Sequence, residues 1–204
     1  MNTFEQAVQF ALHAHEGQLR KAKPIPFILH PMEVAQIAST MTDDQDVLAA
    51  AVLHDVVEDT DRTADDILEH FGARIAYLVA METEDKRRGQ PASETWKIRK
   101  EESLAELKNS GDTDVQILWL SDKLSNLRSF YRSRLRIGDK MWEMFNNPDK
   151  SEQHWYYSQI LELCSSQKDA YAYKEYQMLL KAIFLDGSLH VEFMETGSAF
   201  DEQR

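Results

Sequence analysis

Seven apolar residues at positions 47–53 lead directly into a cluster of ionisable side chains. His54 and Asp55 follow the run, and Glu58 and Asp59 come two valines later. Residues three and four apart share a face of a helix, so a continuous helix would place His54 beside Glu58, and Asp55 beside both acids. A helix that is apolar almost all round is expected to lie in the core. The segment therefore predicts a buried helix that carries three carboxylates and one imidazole.

Such a cluster needs a compensating charge. Burying isolated charges is strongly unfavourable, and three neighbouring carboxylates repel one another. A divalent cation would neutralise the carboxylates and use the imidazole as a ligand. The alternative is an acidic surface face with a satisfied histidine, which the apolar run of 47–53 disfavours because it leaves little surface.

Two other segments can supply further ligands. His30 opens a predicted helix directly after a proline-containing loop, and Asp122 lies within the largely apolar stretch 115–128. Each residue alone also has a structural interpretation; Asp122, for example, could pair with Lys123 or Arg128. The combination of two imidazoles with the carboxylates of Asp55 and Asp122 suits Mn²⁺, Fe²⁺, Zn²⁺ or a related divalent ion.

The rest of the chain has a helical pattern, with only seven glycines and five prolines in 204 residues. We predict an all-α fold, a single compact helical bundle. Helices are expected at about 3–16, from 30, at 47–57, 64–71, 73–81, 94–109, 114–132, 152–164 and 168–184. Residues 83–93 are expected to form a polar loop, and 189–193 either a short strand or an irregular segment. We expect one domain over residues 1–196 and a frayed tail at 197–204.

Three capping boxes are predicted, because a Thr followed three residues later by an acid or amide can satisfy the free amides of a helix start. They are the pairs Thr3 with Gln6, Thr42 with Gln45, and Thr63 with Asp66.

The overall charge excludes several classes of partner. Against 23 basic residues stand 35 acidic ones, a net charge of −12. This disfavours nucleic-acid polymers and anionic membranes, both of which require a basic face. A bilayer span needs about 20 apolar residues, far more than the run at 47–53 offers. We expect no signal peptide at the N-terminus and a cytoplasmic location, since the single cysteine, Cys164, suits a reducing compartment.

The charge is unevenly distributed. Residues 42–69 carry ten acids and one base, whereas 86–108 carry seven bases against four acids and 121–140 six against two. Solvated helix faces would explain most of these charges singly. The other interpretation is a cation-binding acidic centre surrounded by groups that hold a small, highly phosphorylated ligand.

Four motifs resemble the HD-domain metal-dependent phosphohydrolases, and more closely the hydrolase domain of the Rel/Spo family and the small alarmone hydrolases. They are AHEGQLRK at 14–21, ILHP at 28–31, AVLHDVVEDT at 51–60 and LSDKLSNLR at 120–128; HWYY at 154–157 is similar to a later segment of the family. The similarity runs from about residue 4 to about residue 185.

This resemblance implies an all-α fold and removal of the 3′-pyrophosphate from guanosine tetra- or pentaphosphate, giving GDP or GTP and pyrophosphate. It implies Mn²⁺ held by His30, His54, Asp55 and Asp122. Glu58 and Asp59 would orient or deprotonate the attacking water, and Arg20, Lys21 and Asn126 would contact a small phosphorylated guanine nucleotide. The length leaves no room for a synthetase domain, so we expect hydrolysis only.

Phosphoryl oxygens that gain charge need cations fixed in place. Arg20, Lys21, Lys97 and Arg128 are the predicted contacts, and Arg99, Lys123 and Arg132 are further candidates. The family usually has a Tyr where this chain has Phe27, which lacks the hydroxyl that a Tyr would offer to the nucleotide. Two alternatives stay open: an HD phosphohydrolase for another nucleotide or phosphorylated cofactor, and a catalytically idle nucleotide sensor. The intact pair of Glu58 and Asp59 disfavours the sensor.

Overall fold

The computed structural model describes residues 1–20 and 24–185, and this part of the chain is built from helices. Apart from one isolated bridge between Leu19 and Pro26, these residues contain no strand pairing, which confirms the all-α prediction. The α-helices are α1 (Thr3–Ala14), α2 (Leu29–Ala38), α3 (Gln45–Leu53), α4 (Val56–Asp59), α5 (Ala64–Ala80), α6 (Ala92–Ser110), α7 (Thr113–Ile137), α8 (Lys150–Leu163) and α9 (Tyr171–Phe184). Two 3₁₀ helices, Gly138–Met144 and Ser165–Gln167, follow α7 and α8. The segment predicted at 189–193 and the tail predicted at 197–204 lie outside the described residues.

Helix α3 lies at the centre of the N-terminal half. It packs against α1, α2, α5 and α7, and six of its nine residues are buried. Helix α7 lies at the centre of the C-terminal half, where it packs against α8 and α9, and it also packs against α2. The predicted burial of the apolar run is confirmed, and the two central helices bring its end close to the middle of α7. No helix among the described residues is long and apolar enough to cross a membrane.

The prediction of one continuous helix through the acidic motif is wrong. Helix α3 ends at Leu53, and His54 and Asp55 form a turn before α4. The Nδ1 atom of His54 lies 2.8 Å from the carbonyl oxygen of Ala51. This side-chain bond competes for the carbonyl that the Asp55 amide would use in a continuous helix.

The helix starts correct two of the three predicted caps. Helix α1 has its capping box at Asn2 and Glu5 rather than at Thr3, since asparagine is a stronger N-cap than threonine. Helix α3 is capped by Asp44, whose side chain accepts from the amide of Asp46, without a capping box. The third box, Thr63 with Asp66, is confirmed at the start of α5.

Candidate metal centre and its cavity

Four predicted ligands from three parts of the chain meet at one point. His30 comes from the first turn of α2, His54 and Asp55 from the turn between α3 and α4, and Asp122 from the middle of α7. The Nε2 atom of His30 lies 3.0 Å from Oδ1 of Asp122 and 3.5 Å from Oδ2 of Asp55. The Nε2 atom of His54 lies 3.1 Å from Oδ2 of Asp55 and 3.6 Å from Oδ1 of Asp122. Two imidazoles and two carboxylates therefore converge.

A hydrogen-bond chain fixes the orientation of the His30 ring. The hydroxyl of Ser125 donates to Oε2 of Glu33 at 2.8 Å, so its oxygen is left to accept from Nδ1 of His30 at 2.9 Å. Because Nδ1 then carries the proton of the neutral ring, Nε2 presents a lone pair to the carboxylates. This tautomer is the one that a metal-binding imidazole needs, and outer partners of this kind hold such rings in place.

The ring of His54 is oriented in the same way, with Nδ1 as the donor and Nε2 directed at the carboxylates. Its Nδ1 donates to a carbonyl oxygen, and its buried Nε2 makes no hydrogen bond to any described residue. A lone pair aimed at two carboxylates is unfavourable unless a proton or a cation lies between them. Burial alone would lower the pKa of His54, but the charges of Asp55 and Asp122 outweigh it and hold that pKa well above its usual value. The pocket between these groups thus attracts positive charge.

The donor set fits a divalent metal ion. Ligand atoms of His30, His54 and Asp122 all lie within 4.8 Å of one another, and all three residues are buried. Mixed imidazole and carboxylate donors suit Mn²⁺, Fe²⁺ or Zn²⁺. A cation here would take the place of the proton that the buried His54 ring otherwise needs.

The second carboxylate oxygen of Asp122, Oδ2, is paired with a lysine. Lys123 forms a short ion pair with it, and the same ammonium lies 2.7 Å from Oε1 of Glu82. Asn126 donates to Oδ1 at 2.9 Å. Burial works against a charged Asp122, yet Lys123 and the two imidazoles keep its pKa well below the usual range. Burial raises the pKa of Glu82 to about 8, although Lys123 favours the charged form. The predicted alternative pairing of Asp122 with Lys123 therefore coexists with the metal-type cluster.

Glu58 and Asp59 lie one helical turn beyond the cluster. Lys86 forms ion pairs with both, at 3.1 Å from Oε1 of Glu58 and at shorter range from Asp59. The amide of Glu84 donates to Oε2 of Glu58 at 3.1 Å. Burial, and next the charge of Asp55, raise the pKa of Glu58 although Lys86 opposes them. A carboxylate with a raised pKa beside a metal-type cluster is suited to accept a proton.

The centre opens into a cavity of about 640 Å³, large enough for a nucleotide. Among the described residues, five cationic side chains line it together with the acids of the centre: Arg20, Lys86, Arg99, Lys100 and Lys123. Aromatic side chains form much of the remaining wall; they include Trp96, Phe130, Phe145, Tyr156 and Tyr157. The cavity thus combines a cation-binding acidic end, fixed positive charges and flat apolar surfaces.

The structure brings some of the predicted substrate contacts to the cavity and not others. Arg20 and Asn126 line it, and the Arg20 guanidinium donates to Oδ1 of Asn126 at 3.2 Å. Arg128 and Lys97 are absent from the described cavity wall. Arg128 makes a two-point ion pair with Glu175, at 2.7 Å for each bond, and Lys97 lies 2.5 Å from Glu152. Lys21 lies outside the described residues.

Sequence reasoning missed several acids and bases of residues 82–100 that line the same cavity as the centre. Glu82, Glu84, Lys86 and Lys100 all line the cavity, and none was singled out. Their signal was present as the basic stretch that begins at Lys86. Counting charges does not distinguish Lys100, whose side chain is 19% exposed and pairs with Glu84, from Lys97, whose side chain is 42% exposed. The loop at 83–93 was predicted only as a polar connection.

Comparison with known proteins agrees with this geometry. The family model for the HD domain matches residues 7–145. The mouse (Mus musculus) guanosine-3′,5′-bis(diphosphate) 3′-pyrophosphohydrolase MESH1 is 38% identical over 130 residues, which cover 62% of this chain and 69% of that protein. An Aquifex aeolicus protein described as a guanosine-3′,5′-bis(diphosphate) 3′-pyrophosphohydrolase is 32% identical over 151 residues, 69% of this chain but only 20% of the longer relative.

Solved structures share the fold. A metazoan ortholog of SpoT, a protein that hydrolyses ppGpp, superposes with a TM-score of 0.69 at 24% identity, covering 89% of this chain and 96% of the other. A Listeria monocytogenes EGD-e protein superposes with a TM-score of 0.66 at 30% identity, covering 77% of this chain and 99% of the other. The chain therefore belongs to the HD-domain family and is a homologue of its MESH1 and SpoT-type members.

Proposed function

We propose that the protein hydrolyses the 3′-pyrophosphate of guanosine tetra- and pentaphosphate, giving GDP or GTP and pyrophosphate. The observation that carries the proposal is the cluster of His30, His54 and Asp122, whose ligand atoms lie within 4.8 Å of one another. His30 and Asp122 line a cavity to which the described part of the chain also contributes five cationic side chains. The pyrophosphohydrolase activity for which the MESH1 and Aquifex relatives are named supports this substrate.

His30, His54, Asp55 and Asp122 would hold the metal ion, for which we propose Mn²⁺. A bound divalent ion lowers the pKa of water and so supplies a nucleophile near neutral pH. Ser125 and the Ala51 carbonyl keep the two rings in the tautomer that presents Nε2. These contacts preorganise the donor atoms before any ion arrives.

Glu58 and Asp59 are the proposed catalytic carboxylates. In the reaction, the oxygen of water forms a bond to the phosphorus attached to the ribose 3′ oxygen, the bond between that phosphorus and the 3′ oxygen breaks, and a proton ends on the 3′ hydroxyl. Glu58 is suited to take the proton from water, because burial raises its pKa. Asp59, on the same turn, would orient the water.

The cationic wall would bind the phosphate groups. Arg20 and Asn126 already form a hydrogen-bonded pair at the cavity wall, and Lys100 lies nearby against Tyr156. Fixed cations stabilise phosphoryl oxygens as they gain charge. We place the guanine base against the aromatic side chains. Lys97 and Arg128 stay proposed contacts although they are absent from the described cavity wall, and Lys21, outside the described residues, stays a proposed contact as well. A cytoplasmic location is likewise proposed, on the single cysteine.

Turnover of guanosine 3′,5′-bisdiphosphate with and without Mn²⁺ tests the proposal. Purified protein should release GDP and pyrophosphate only when the metal is present, and the double variant His54→Ala/Asp55→Ala should be inactive. The same sample should be offered other nucleoside polyphosphates and phosphorylated cofactors. A higher kcat/KM for one of these compounds would identify it as the substrate instead. Binding without turnover would identify the protein as a nucleotide sensor.

A further inference from the structure

The loop between α5 and α6 lies directly over the proposed catalytic carboxylates. Three of its residues contact the turn that holds them. Lys86 pairs with the side chains of both Glu58 and Asp59, and the amide of Glu84 donates to Oε2 of Glu58 at 3.1 Å. Arg88 donates to the main-chain oxygen of Glu58, also at 3.1 Å. The position of the two acids therefore depends on this loop.

Lys86 occupies the boundary between the carboxylates and the cavity. It lines the cavity, and its side chain is 33% exposed while that of Glu58 is 17% exposed. The ammonium group is therefore within reach of anything that enters. Its flexible stem and three donors allow it to exchange one acceptor for another without moving the backbone.

The balance of charge around Glu58, Asp59 and Lys86 changes when a substrate enters the cavity. In the free protein, Lys86 offsets the repulsion between the adjacent carboxylates of Glu58 and Asp59. A nucleotide with two diphosphate groups brings several negative charges, and phosphoryl oxygens compete well for an ammonium group. A carboxylate that loses its paired cation becomes a stronger proton acceptor, because the cation had favoured its charged form.

We propose that Lys86 is a positioning residue that transfers between two partners. In the free enzyme it holds Glu58 and Asp59 in place, and on substrate binding it moves to a phosphoryl oxygen and frees Glu58 to accept a proton. This inference rests on the proposed function and adds to it a link between substrate binding and activation of the base.

The neighbouring arginine provides a matched control. Arg87 carries the same charge on the same loop, but it pairs with Glu102, is absent from the described cavity wall and makes no described contact with Glu58 or Asp59. Three variants separate the roles: Lys86→Met removes the ammonium, Lys86→Arg keeps the charge, and Arg87→Met removes an equivalent charge elsewhere.

Binding and turnover should be measured separately. Isothermal titration of guanosine 3′,5′-bisdiphosphate into metal-free protein reports on the contact with phosphate, and steady-state kinetics with Mn²⁺ report on catalysis. For Lys86→Met we expect Kd and KM to rise about tenfold, as for loss of one charged hydrogen bond, and kcat to fall at least about tenfold. Lys86→Arg should stay within about threefold of the wild type, and Arg87→Met within about twofold.

A double-variant cycle tests the link to the base. When Glu58→Gln has already removed the proton acceptor, Lys86→Met should change kcat little while still weakening binding, because coupled residues are not additive. Wild-type turnover with unchanged Kd and kcat in Lys86→Met would overturn the inference, as would equal losses in Lys86→Met and Arg87→Met. A wild-type protein that shows no turnover with Mn²⁺ would instead overturn the proposed function.

Discussion

His30 Nε2 lies 3.0 Å from Asp122 Oδ1, although one residue opens α2 and the other lies in the middle of α7. The contact exists because these two helices pack against each other, and Ser125, one turn after Asp122, holds the ring from its other side. The packing of α2 against α7 therefore also brings these two ligands of the metal-type cluster together.

Replacing His54 should remove the metal and the activity together. His54→Ala deletes a buried donor atom, so we expect metal content to fall to background and kcat/KM to drop by at least about 10³-fold. Metal analysis of the purified variant and a turnover assay check this. His70→Ala is the control, since the exposed His70 bonds to the carbonyl of Asp66 on its own helix and lies against the ring of Phe10, outside the metal-type cluster. Full metal content in His54→Ala would contradict the assignment.

Ser125→Ala should weaken the site without abolishing it. The variant removes the acceptor that fixes the tautomer of His30, and loss of such outer partners typically lowers metal affinity or activity by about 10- to 100-fold. Competition with a chromophoric chelator measures the affinity. Ser121→Ala serves as the comparison, because Ser121 is equally buried on α7 but its hydroxyl donates to the carbonyl of Ile117 on the same helix. Equal effects of the two substitutions would rule out the relay through Ser125.

Metal binding should stabilise the folded state. An ion that binds only the native protein contributes about 2.7 kcal/mol at a hundredfold excess over Kd, which corresponds to a rise in Tm of about 5 to 10 °C for a domain of this size. Differential scanning calorimetry with Mn²⁺ or with EDTA measures the shift. The His54→Ala variant should show no such rise, and a similar rise in both proteins would place the ion elsewhere.

The metal-free protein should lose stability as the pH increases from about 4.5 to 8. The pKa of Glu82 is raised to about 8 by burial, so the folded state keeps a proton that the unfolded chain releases at lower pH. Its contribution is complete below the unfolded pKa and is lost as the pH rises through the folded value, a change on the order of a few kcal/mol. Urea unfolding in EDTA from pH 4 to 9 measures it.

Glu82→Gln isolates this contribution, because the amide resembles the protonated acid. The variant should flatten the decrease in the free energy of unfolding over that range, whereas Glu152→Gln, at an exposed pair with Lys97, should leave it unchanged. An unchanged pH slope in Glu82→Gln would mean that Glu82 is charged in the folded state.

Arg20 and Arg128 should behave differently when each is replaced by methionine. Arg20 lines the cavity, so Arg20→Met should raise KM for guanosine 3′,5′-bisdiphosphate about tenfold, the effect of losing one charged hydrogen bond. Arg128 joins Glu175 of α9 to α7, so Arg128→Met should lower the free energy of unfolding by about 1 kcal/mol and change KM less. A rise in KM for Arg128→Met as large as that for Arg20→Met would contradict this difference.

The sequence predicted the fold class and the residues of the cluster because both depend on patterns within single helices. The apolar run at 47–53 and the helix around Asp122 could only be buried, and a buried helix with ionisable groups predicts a compensating ion. The break at His54 was missed, because nothing local in the sequence shows that the ring takes the Ala51 carbonyl.

The surroundings of the cluster could not be predicted for a different reason. Whether a lysine lines the cavity or pairs on the surface depends on which acids the other helices bring near it. Lys86 meets Glu58 across the fold, whereas Lys97 meets Glu152 of α8. Such partners are set by tertiary packing, and the spacing of charges along one segment does not contain them.

The most direct test of the central claim is ³¹P NMR of guanosine 3′,5′-bisdiphosphate that has been incubated with the purified protein and Mn²⁺ and then freed of the paramagnetic metal on a chelating resin. The account predicts that the two 3′-diphosphate resonances disappear together as pyrophosphate appears, while the 5′-diphosphate resonances persist as those of GDP. Loss of the 5′ resonances, release of orthophosphate alone, or an unchanged spectrum would contradict it.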